Sequence, residues 1–517
     1  MPSTSTSQTI IPEKHKHVLT GDIEESITEI GELLAKAFFS GGVPFNFIEN
    51  DYFQQFLSRV CPSCNVISRY RLANPLLSKT FKEVKQGIDL SIQASENLCL
   101  VADSWTNIRG ESVMNFVITT PKPFFYDVIF IDTNQHTGEY IAREISKIIR
   151  RIGPDKVKAV VTDNAANMKA AWSILEKEFH NLVCYGCASH ATNLLLKDVL
   201  NLPWAASPIG EVKAIAKWFR KHPRAYSILK KAQREKLGYE IALALPVETR
   251  WLSYSKCLES VLSTRVPLQI AALELASSEL RCLLQDTWWE KAEELRDIIK
   301  PITEVIIDLE RDTPRLSLVN QHYFSLMKMA VQLPGNQNKN LIEKIAARFN
   351  FIKKPVMTVA HILDPKHSAF SYEIESLQDV QQFLWERHPQ DELGDIYTEL
   401  LLFNSKSPPF DSPVIWDAAK KLDPIVWWKK HTSLSPRLAN LAITVLSMPA
   451  SAAASERNWS NFGFIHNGIR NRLNDSKAFK LVYIYSNLRL QRKIRNSELW
   501  FTEEELEEEE KEEEEDF

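Results

Sequence analysis

Glycine is scarce in this sequence, with 15 residues among 517. Long segments with helical periodicity are common instead, so we predict that helix dominates. Hydrophobic residues make up 44% of the chain and charged residues 25%, which is the balance of a soluble globular protein. The length exceeds that of one ordinary domain, so two or three folded units are expected.

Apolar runs long enough to cross a bilayer, about 18 residues, are also lacking. The polar segment Met1–Lys16 has no apolar core of a signal peptide, so we expect no membrane partner and a location inside the cell. Cysteines are few and odd in number, which argues against a disulfide framework. They are Cys61, Cys64, Cys99, Cys184, Cys187, Cys257 and Cys282.

A strong net charge is missing as well, because the total of −4 hides an acidic tail. Residues 503–517 hold eleven Glu, one Asp and one Lys, a net of −11. The first 502 residues therefore carry +7, since −4 minus −11 is +7. A mildly basic body is compatible with a polyanionic partner and does not require one.

The N-terminal part divides into a polar segment, 1–25, predicted to be disordered, and a helical region, 26–95. Gly41–Pro44 is predicted to separate helices within that region. The next region, 96–204, changes to short apolar runs. Five of these runs are predicted strands: Leu98–Ala102, Val113–Ile118, Phe124–Ile131, Val157–Val161 and Leu182–Tyr185.

Predicted helices follow the third, fourth and fifth strands, which gives an α/β order of β-β-β-α-β-α-β-α. A right-handed crossover would place the fourth strand beside the first or the third. In the first arrangement Asp103, which ends the first strand, lies beside Asp163, which follows the fourth. That edge is where open α/β sheets bind ligands.

The remaining chain is predicted to be helical and then acidic. Residues 205–430 form an all-α region, with helices over Ile209–Arg220, Leu258–Ser277, Trp288–Arg311 and Leu341–Phe349, and Ser407–Pro413 is a loop. Residues 431–495 carry further helices. Residues 496–517 form an acidic tail whose charges repel one another, which favours a solvated arm.

Paired carboxylates at such an edge suit phosphoryl transfer on nucleic acid. Two metal ions, ~3.5–4 Å apart, activate the attacking oxygen and stabilise the leaving one. Hard oxygen ligands suit Mg²⁺, so Asp103 and Asp163 could hold the ions. The ordinary alternative is that each Asp is a turn residue or a helix cap, which Asp163 could be for the helix after it.

Five blocks of sequence resemble those of hAT-superfamily transposases, and they occur in the same order. Together they are a strong signal, although each alone is weak to moderate. The blocks are Val101–Asn107 with Asn115 and Phe116, Val161–Met168, Cys187–His190 with Asn193–Leu195, Thr249–Ser253, and Ala454–Ser460 with Ile465–His466, Arg470–Leu473 and Leu481–Arg489.

The resemblance implies a ribonuclease-H-like core with a mixed five-stranded sheet, interrupted by the all-α region. It also implies a third carboxylate, Glu456, in a catalytic triad with Asp103 and Asp163. The cofactors would be Mg²⁺ or Mn²⁺ in a two-metal site, and the reaction would be DNA cleavage and strand transfer in the nucleus. The ordinary alternative for Glu456 is a surface carboxylate paired with Arg457 or another neighbour.

DNA contacts are also implied. Trp251 would stack on a base near the transposon end, although a core Trp is nearly as good an interpretation. Cys187 and His190 could orient the site or the DNA, or simply pack. Arg470 and Arg472 begin a basic segment that could follow phosphates, or be a solvated helix face.

No structural zinc is expected. Cys184 with Cys187 and Cys61 with Cys64 form two C-x-x-C pairs, but more than 100 residues separate them. Many members of the resembling family begin with a BED-type zinc finger, and no C-x₂-C…H-x₃₋₅-H pattern precedes residue 90 here. Sequence-specific DNA reading is therefore in doubt.

The C-terminal region is rich in apolar side chains, as an obligate interface would be. We therefore expect a homodimer or a higher homo-oligomer, the alternative being that this face packs on its own chain. The residues are Trp416, Trp427, Trp428, Leu441, Val445, Leu446, Phe462, Phe464, Leu481, Val482, Tyr483 and Tyr485.

Three functions remain open. The first is an active transposase using the triad. The second is a domesticated, catalytically inactive relative that binds DNA and dimerises. The third is an unrelated ribonuclease-H-like nuclease acting on RNA hybrids, against which the long helical region and the C-terminal block argue.

Overall fold

The structure is a computed structural model that describes residues 23–60, 67–106, 110–120, 122–131, 137–247, 252–367, 374–465 and 473–498. The N-terminal part is helical, as predicted. Its elements are α1 (Ile23–Ser40), a 3-10 turn (Phe45–Glu49), α2 (Asp51–Val60), α3 (Arg69–Arg71), a wide turn (Leu72–Leu76) and α4 (Leu77–Ala94).

Helix α1 begins at Ile23, inside the segment predicted to be disordered, whose first 22 residues lie outside the described part of the chain. It ends at Ser40, directly before the predicted break. Gly42 has φ +61°, and a side chain there would overlap the Phe464 ring. Glycine is therefore needed for the turn and for the close approach of the C-terminal region.

One mixed sheet of five strands follows, in the order β3-β2-β1-β4-β5. The strands are β1 (Leu98–Thr106), β2 (Ser112–Thr119), β3 (Pro123–Ile131), β4 (Val157–Thr162) and β5 (Val183–Gly186). The first three are antiparallel neighbours, and β4 and β5 join parallel to β1. All five predicted strands are confirmed.

Strand β1 is longer than predicted. The sequence suggested that it ends at Asp103, but it continues to Thr106 because Ser104–Thr106 pair with Ser112–Met114 of β2. Asp103 therefore lies inside a strand, directly opposite Asn115. The antiparallel hairpin provides partners that a count of apolar residues does not reveal.

The crossover that follows β3 returns β4 to the side of β1, the first of the two predicted arrangements. Three helices accompany the parallel part of the sheet: α5 (Gly138–Ile152), α6 (Ala166–Glu178) and α7 (Ala188–Leu200). Val101 pairs with Val161, so Asp103 and Asp163 each lie two residues beyond neighbouring positions. Adjacent strands are about 4.8 Å apart, and this spacing sets the order of the distance between the backbones of Asp103 and Asp163.

The two faces of the sheet pack into different cores. One face carries Leu100, Ala102 and Val160, and packs with α5, α6 and the N-terminal and C-terminal helices. The other carries Val101 and Val161, and continues into the long helical part. The alternation of strand side chains thus points Val101, Asp103 and Asn115 toward the second face.

Every described element from α8 to α20 is helical. They are α8 (Pro203–Lys221), α9 (Pro223–Leu237), α10 (Leu252–Leu262), α11 (Arg265–Leu275), α12 (Asp286–Leu309), α13 (Leu318–Gln332), α14 (Gly335–Ile352), α15 (Pro355–Leu363), α16 (Ile374–Arg387), α17 (Gln390–Asn404), α18 (Pro413–Ala419), α19 (Pro424–His431) and α20 (Pro436–Leu446), with 3-10 turns at Ser278–Leu284, Pro365–His367 and Thr432–Leu434.

The single helix predicted over Leu258–Ser277 is wrong, because α10 and α11 divide it at Ser263 and Thr264. Pro267 lies in the first turn of α11, where the missing N–H costs nothing, whereas inside one long helix it would remove a hydrogen bond. The predicted loop at Ser407–Pro413 is present up to Ser412, the residue before α18.

Two helices end the described chain, α21 (Ala453–Ile465) and α22 (Asp475–Glu498). Helix α22 packs against α4, α1 and β3. The Asn487 side chain accepts from the backbone N of Phe125 (3.0 Å) and donates to its carbonyl (2.9 Å). This pairing covers part of the edge strand β3, which would otherwise be open to association.

This packing corrects the interpretation of the C-terminal apolar residues. Ten of the twelve, all except Trp416 and Phe464, are buried within one chain, and those two are partly buried. They fill the cores on both faces of the sheet, the alternative left open above, and so do not themselves form an exposed interface. No helix in the described ranges is both long and apolar enough for a membrane span.

Candidate active site

Asp103 is the most buried of the three predicted carboxylates, with 4% of its surface exposed. Its side chain accepts a hydrogen bond of 2.8 Å from the backbone N of Ser104. Burial raises its pKa well above the ordinary value, and the negative charges of Asp163 and Glu456 raise it further. The charges of Asp163 and Glu456 therefore both act on the buried carboxyl of Asp103.

Asp163 directly follows β4 and has a structural role as well. Its side chain accepts from the backbone N of Ala165 at 2.9 Å, which shapes the turn into α6. The turn-residue interpretation is thus correct as far as it goes. The hydrogen bond uses one carboxylate oxygen, Oδ1.

Glu456 lies in the first turn of α21, which packs across β1 and β2. The Asn115 amide donates 3.0 Å to the carbonyl of Ser455, and the Trp105 ring lies 5.7 Å from the ring of Trp459. Trp105 lies on β1, the strand of Asp103, and Asn115 lies on the neighbouring strand β2, directly opposite Asp103. They fix the start of the helix over the buried carboxylate.

Arg457, the suggested partner of Glu456, is engaged elsewhere. It forms an ion pair with Asp312 and donates 2.9 Å to the carbonyl of Glu310. The Glu310 side chain in turn accepts from Ser189 of α7 at 2.6 Å. This network ties α21 to the end of α12 and to α7.

The donor atoms at the site suit a hard divalent cation in kind. Three carboxylates repel one another, and the Oδ1 of Asn115 and the Oγ of Ser455 are buried without a hydrogen-bond partner in the described part of the chain. An oxygen-rich, acidic cluster with such orphaned atoms is a natural setting for Mg²⁺. Within the described ranges, however, no three His, Cys, Asp or Glu side chains converge at metal-binding distances.

Cys187 joins the sheet to the segment that carries Glu456. Its Sγ accepts from the backbone N of His190 (3.3 Å), which caps α7, and from the backbone N of Ala452 (3.2 Å). The backbone N of Ala188 also donates to Ala450 at 2.9 Å. Cys187 and Ala452, which are 265 positions apart in the chain, are therefore joined by a hydrogen bond. Ala452 lies four residues before Glu456, so this bond helps to position Glu456.

Cys187 is a buried thiol and not a thiolate. Burial raises its pKa well above the ordinary value, and the charge of Glu456 raises it further. Cys184 belongs to the core on the opposite face of the sheet, so the C-x-x-C pair does not converge. Cys61 and Cys64 lie outside the described residues.

His190 is the second residue of that block, and it lies near Asp163. Burial lowers its pKa, and the charge of Asp163 offsets part of that effect. A neutral imidazole beside a carboxylate is suited to accept a proton. The other predicted DNA contacts, Trp251, Arg470 and Arg472, lie outside the described residues and stay predictions.

Sequence reasoning named several of these positions without finding their roles. Asn115 was part of a matching block, but only the register shows that it faces Asp103. Asn164 donates 3.0 Å to the carbonyl of Cys187 and so joins the second block to the third. Glu310 and Asp312 carried no signal, because their partners are distant in sequence.

Comparisons with known proteins match two parts of the chain. Residues 67–215 match a domain of unknown function (DUF659), and residues 405–488 match the hAT family C-terminal dimerisation region. A Zea mays protein described as an AC transposase is 22% identical over 83% of this chain and 61% of its own length. Another, described as an AC9 transposase, is 26% identical over 41% of this chain and 27% of its own length.

This chain therefore spans about three-fifths of the first relative and about a quarter of the second. The matched region 67–215 contains Asp103, Asp163 and Cys187, and the dimerisation region contains Glu456. The two matched parts are those that meet at the site.

Cys187→Ala should destabilise the protein by about 1–3 kcal/mol, because two buried backbone N–H groups lose their acceptor. Cys187→Ser, which keeps an acceptor, should recover part of this loss. The measurement is the free energy of unfolding in urea. The matched control is Cys184→Ala, which removes an equally buried thiol that accepts no hydrogen bond within the described residues. Equal losses for the two alanine variants would contradict the tethering role.

Asp103→Asn should raise the thermal midpoint in EDTA at pH 7 by about 1–4 °C. The folded-state pKa of Asp103 is raised, so the wild-type protein loses stability as the pH rises from the unfolded-state pKa toward the folded-state pKa. The gain should shrink as the pH falls toward about 4, where the carboxyl is protonated in the unfolded chain too. Calorimetric scans over this range measure it, with exposed Asp155→Asn as control. A lower midpoint for Asp103→Asn at pH 7 would contradict the assignment.

Proposed function

We propose that this chain, a member of the hAT family of transposases, cleaves and transfers DNA strands with Asp103, Asp163 and Glu456 as a metal-binding triad. The observation that carries the proposal is electrostatic. Asp163 and Glu456, which lie 60 and 353 residues further along the chain than Asp103, both raise the pKa of its buried carboxyl. Gathering two further negative charges near a buried carboxyl costs free energy, and divalent cations would offset that cost.

The sheet supports the same proposal. An antiparallel three-stranded meander extended by two parallel strands fits the ribonuclease-H-like core that the sequence blocks suggested. The chain then supplies an almost wholly helical stretch before it returns with Glu456. We interpret that stretch as the insertion of the core, and residues 96–204 with 431–495 as the core itself.

Divalent cations held by the triad would activate the attacking oxygen and stabilise the leaving oxygen at a phosphodiester. Asp103, held within β1, would be a ligand in a fixed position. The hydrogen bond to Ala165 fixes the side chain of Asp163 in the turn after β4. The Asn115 amide orients the start of α21, while its free carbonyl oxygen can accept from a bound water. Neutral His190, near Asp163, can accept the proton of the nucleophile, first water and then a 3′-hydroxyl.

DNA is the substrate and the partner that this chemistry requires, and a nuclear location follows from it. The match of residues 405–488 to a dimerisation region supports a homo-oligomer. Since the apolar residues of that region are mostly buried in one chain, the contacts between copies would use other parts of its surface.

The decisive experiment is a nicking assay on supercoiled DNA with Mn²⁺ or Mg²⁺. Wild-type protein should convert supercoiled to open-circular DNA, and EDTA should prevent it. Asp103→Asn, Asp163→Asn and Glu456→Gln should each reduce the rate by at least about 100-fold, because the ions lose a ligand.

Asp155→Asn is the matched control. Asp155 lies just before β4 and Asp163 directly after it, so the two residues are at opposite ends of the same strand. The nicking rate of this control should equal that of wild type. An absence of metal-dependent cleavage on any DNA, including flanking inverted repeats, would instead favour an inactive, DNA-binding relative.

A further inference from the structure

A polar cleft of about 240 Å³ lies next to the ends of β4 and β5, between α6 and the corner that joins α14 to α15. Asn164 and Gly186, neighbours of Asp163 and Cys187 in the chain, line its floor. A Cβ on Gly186 would overlap the Asn164 amide, so the two backbones approach closely there. The walls carry the side chains of Lys169, Trp172, Glu176, Phe351, Lys353 and Lys354.

The cleft has an excess of positive charge. Lys353 is paired with Asp379 at 3.1 Å, but Lys169 and Lys354 have no carboxylate within ion-pair distance in the described ranges. Burial lowers the pKa of Lys169, and the charge of Lys354 lowers it further. Two mutually repelling ammonium groups at one cleft are relieved by a bound anion.

The acidic side chains nearby are already engaged. Glu176 accepts 2.9 Å from the backbone N of Cys184, and Glu386, whose pKa Lys354 helps to lower, is paired with Arg387 at 2.8 Å. Neither carboxylate neutralises the two lysines directly.

Aromatic rings hold both lysines in position. The Nζ of Lys169 lies 3.6 Å from the centroid of the Phe351 ring, and that of Lys354 lies 5.6 Å from the Trp172 ring. The Trp172 indole N–H donates 3.1 Å to Thr162, the last residue of β4. The ammonium groups are thereby fixed relative to the strand that leads to Asp163.

The same helix that forms the far wall also approaches the triad. Arg348 of α14, three residues before Phe351, is paired with Asp198 at 2.7 Å, and its charge acts on His190. Positive groups thus follow α14 from the side of His190 to the cleft. A strand of DNA whose phosphate lies at the triad could continue along this path.

We propose that Lys169 and Lys354 bind backbone phosphates of the DNA strand adjacent to the scissile phosphate. The assignment rests on the proposed function for its substrate, and it concerns binding rather than cleavage. The contacts are to phosphate and not to base edges, so they position the strand and do not read its sequence.

The test is fluorescence anisotropy of a labelled oligonucleotide with full-length protein in EDTA, where no cleavage occurs. Lys169→Gln/Lys354→Gln should weaken binding about tenfold near physiological salt. It should also lower the slope of log K against log salt concentration by about 1.8 for duplex DNA, about 0.9 for each lost contact. Lys169→Arg/Lys354→Arg should retain most of the affinity, because the charge is kept.

The matched control is Lys177→Gln/Lys344→Gln, which removes the same charge from α6 and α14 outside the cleft. Thermal midpoints of all variants check the fold. Unchanged affinity and slope in the Lys169/Lys354 glutamine variant would overturn the proposal. So would loss of inorganic phosphate or dTMP binding with DNA affinity intact, since the site would then serve a free anion.

The two proposals fail differently. If wild type binds DNA but the cleft variant binds equally well, only the cleft is rejected. If the cleft variant behaves as expected but no metal-dependent nicking occurs, the chain is a DNA-binding protein and only the catalytic proposal is rejected. DNA affinity in EDTA and the nicking rate with Mn²⁺ are separate readouts of the two proposals.

Discussion

The parallel pairing of β4 with β1 is the constraint on which the rest of the site depends. It aligns Val101 with Val161, and so places Asp103 and Asp163 at neighbouring points of the same edge. Ionised carboxylates this close repel, and one of them is buried, so the pairing is kept against an electrostatic cost. The apolar residues of both strands, packed on both faces, provide the opposing stabilisation.

A second constraint positions the segment 449–452, which follows the long helical region and precedes α21. The segment before α21 is fastened to the end of β5 by three contacts: the Tyr185 hydroxyl to the Pro449 carbonyl (2.7 Å), the Ala188 N to the Ala450 carbonyl, and the Ala452 N to the Cys187 sulfur. Their common effect is to fix the start of the helix that carries Glu456. The C-x-x-H block is thus a structural joint, and His190 is its member that lies near Asp163.

Much of this was predictable from the sequence. Apolar runs located all five strands because they are short, buried and bounded by polar turns, and the crossover rule left two positions for β4. Family resemblance was needed for Glu456, since nothing local distinguishes it from other helix carboxylates. The length of β1 was missed because its last residues are paired by β2 and not by burial.

The C-terminal apolar residues show the main limit. A pattern of buried side chains does not reveal which surface buries them, and here the chain itself does so. The cleft of Lys169 and Lys354 was equally invisible, because α6 and the α14–α15 corner are about 180 residues apart and meet only in the fold.

We propose that Asp103 of β1 and Asp163, directly after β4, form a divalent-cation site together with Glu456 of α21. Crystals soaked in Mn²⁺ test it directly through anomalous scattering at the manganese edge. We expect anomalous density in contact with the carboxylates of Asp103 and Asp163, with Glu456 drawn in as a further ligand, and its loss in Asp103→Asn. Manganese bound elsewhere, or no density between these carboxylates at millimolar Mn²⁺, would contradict the account.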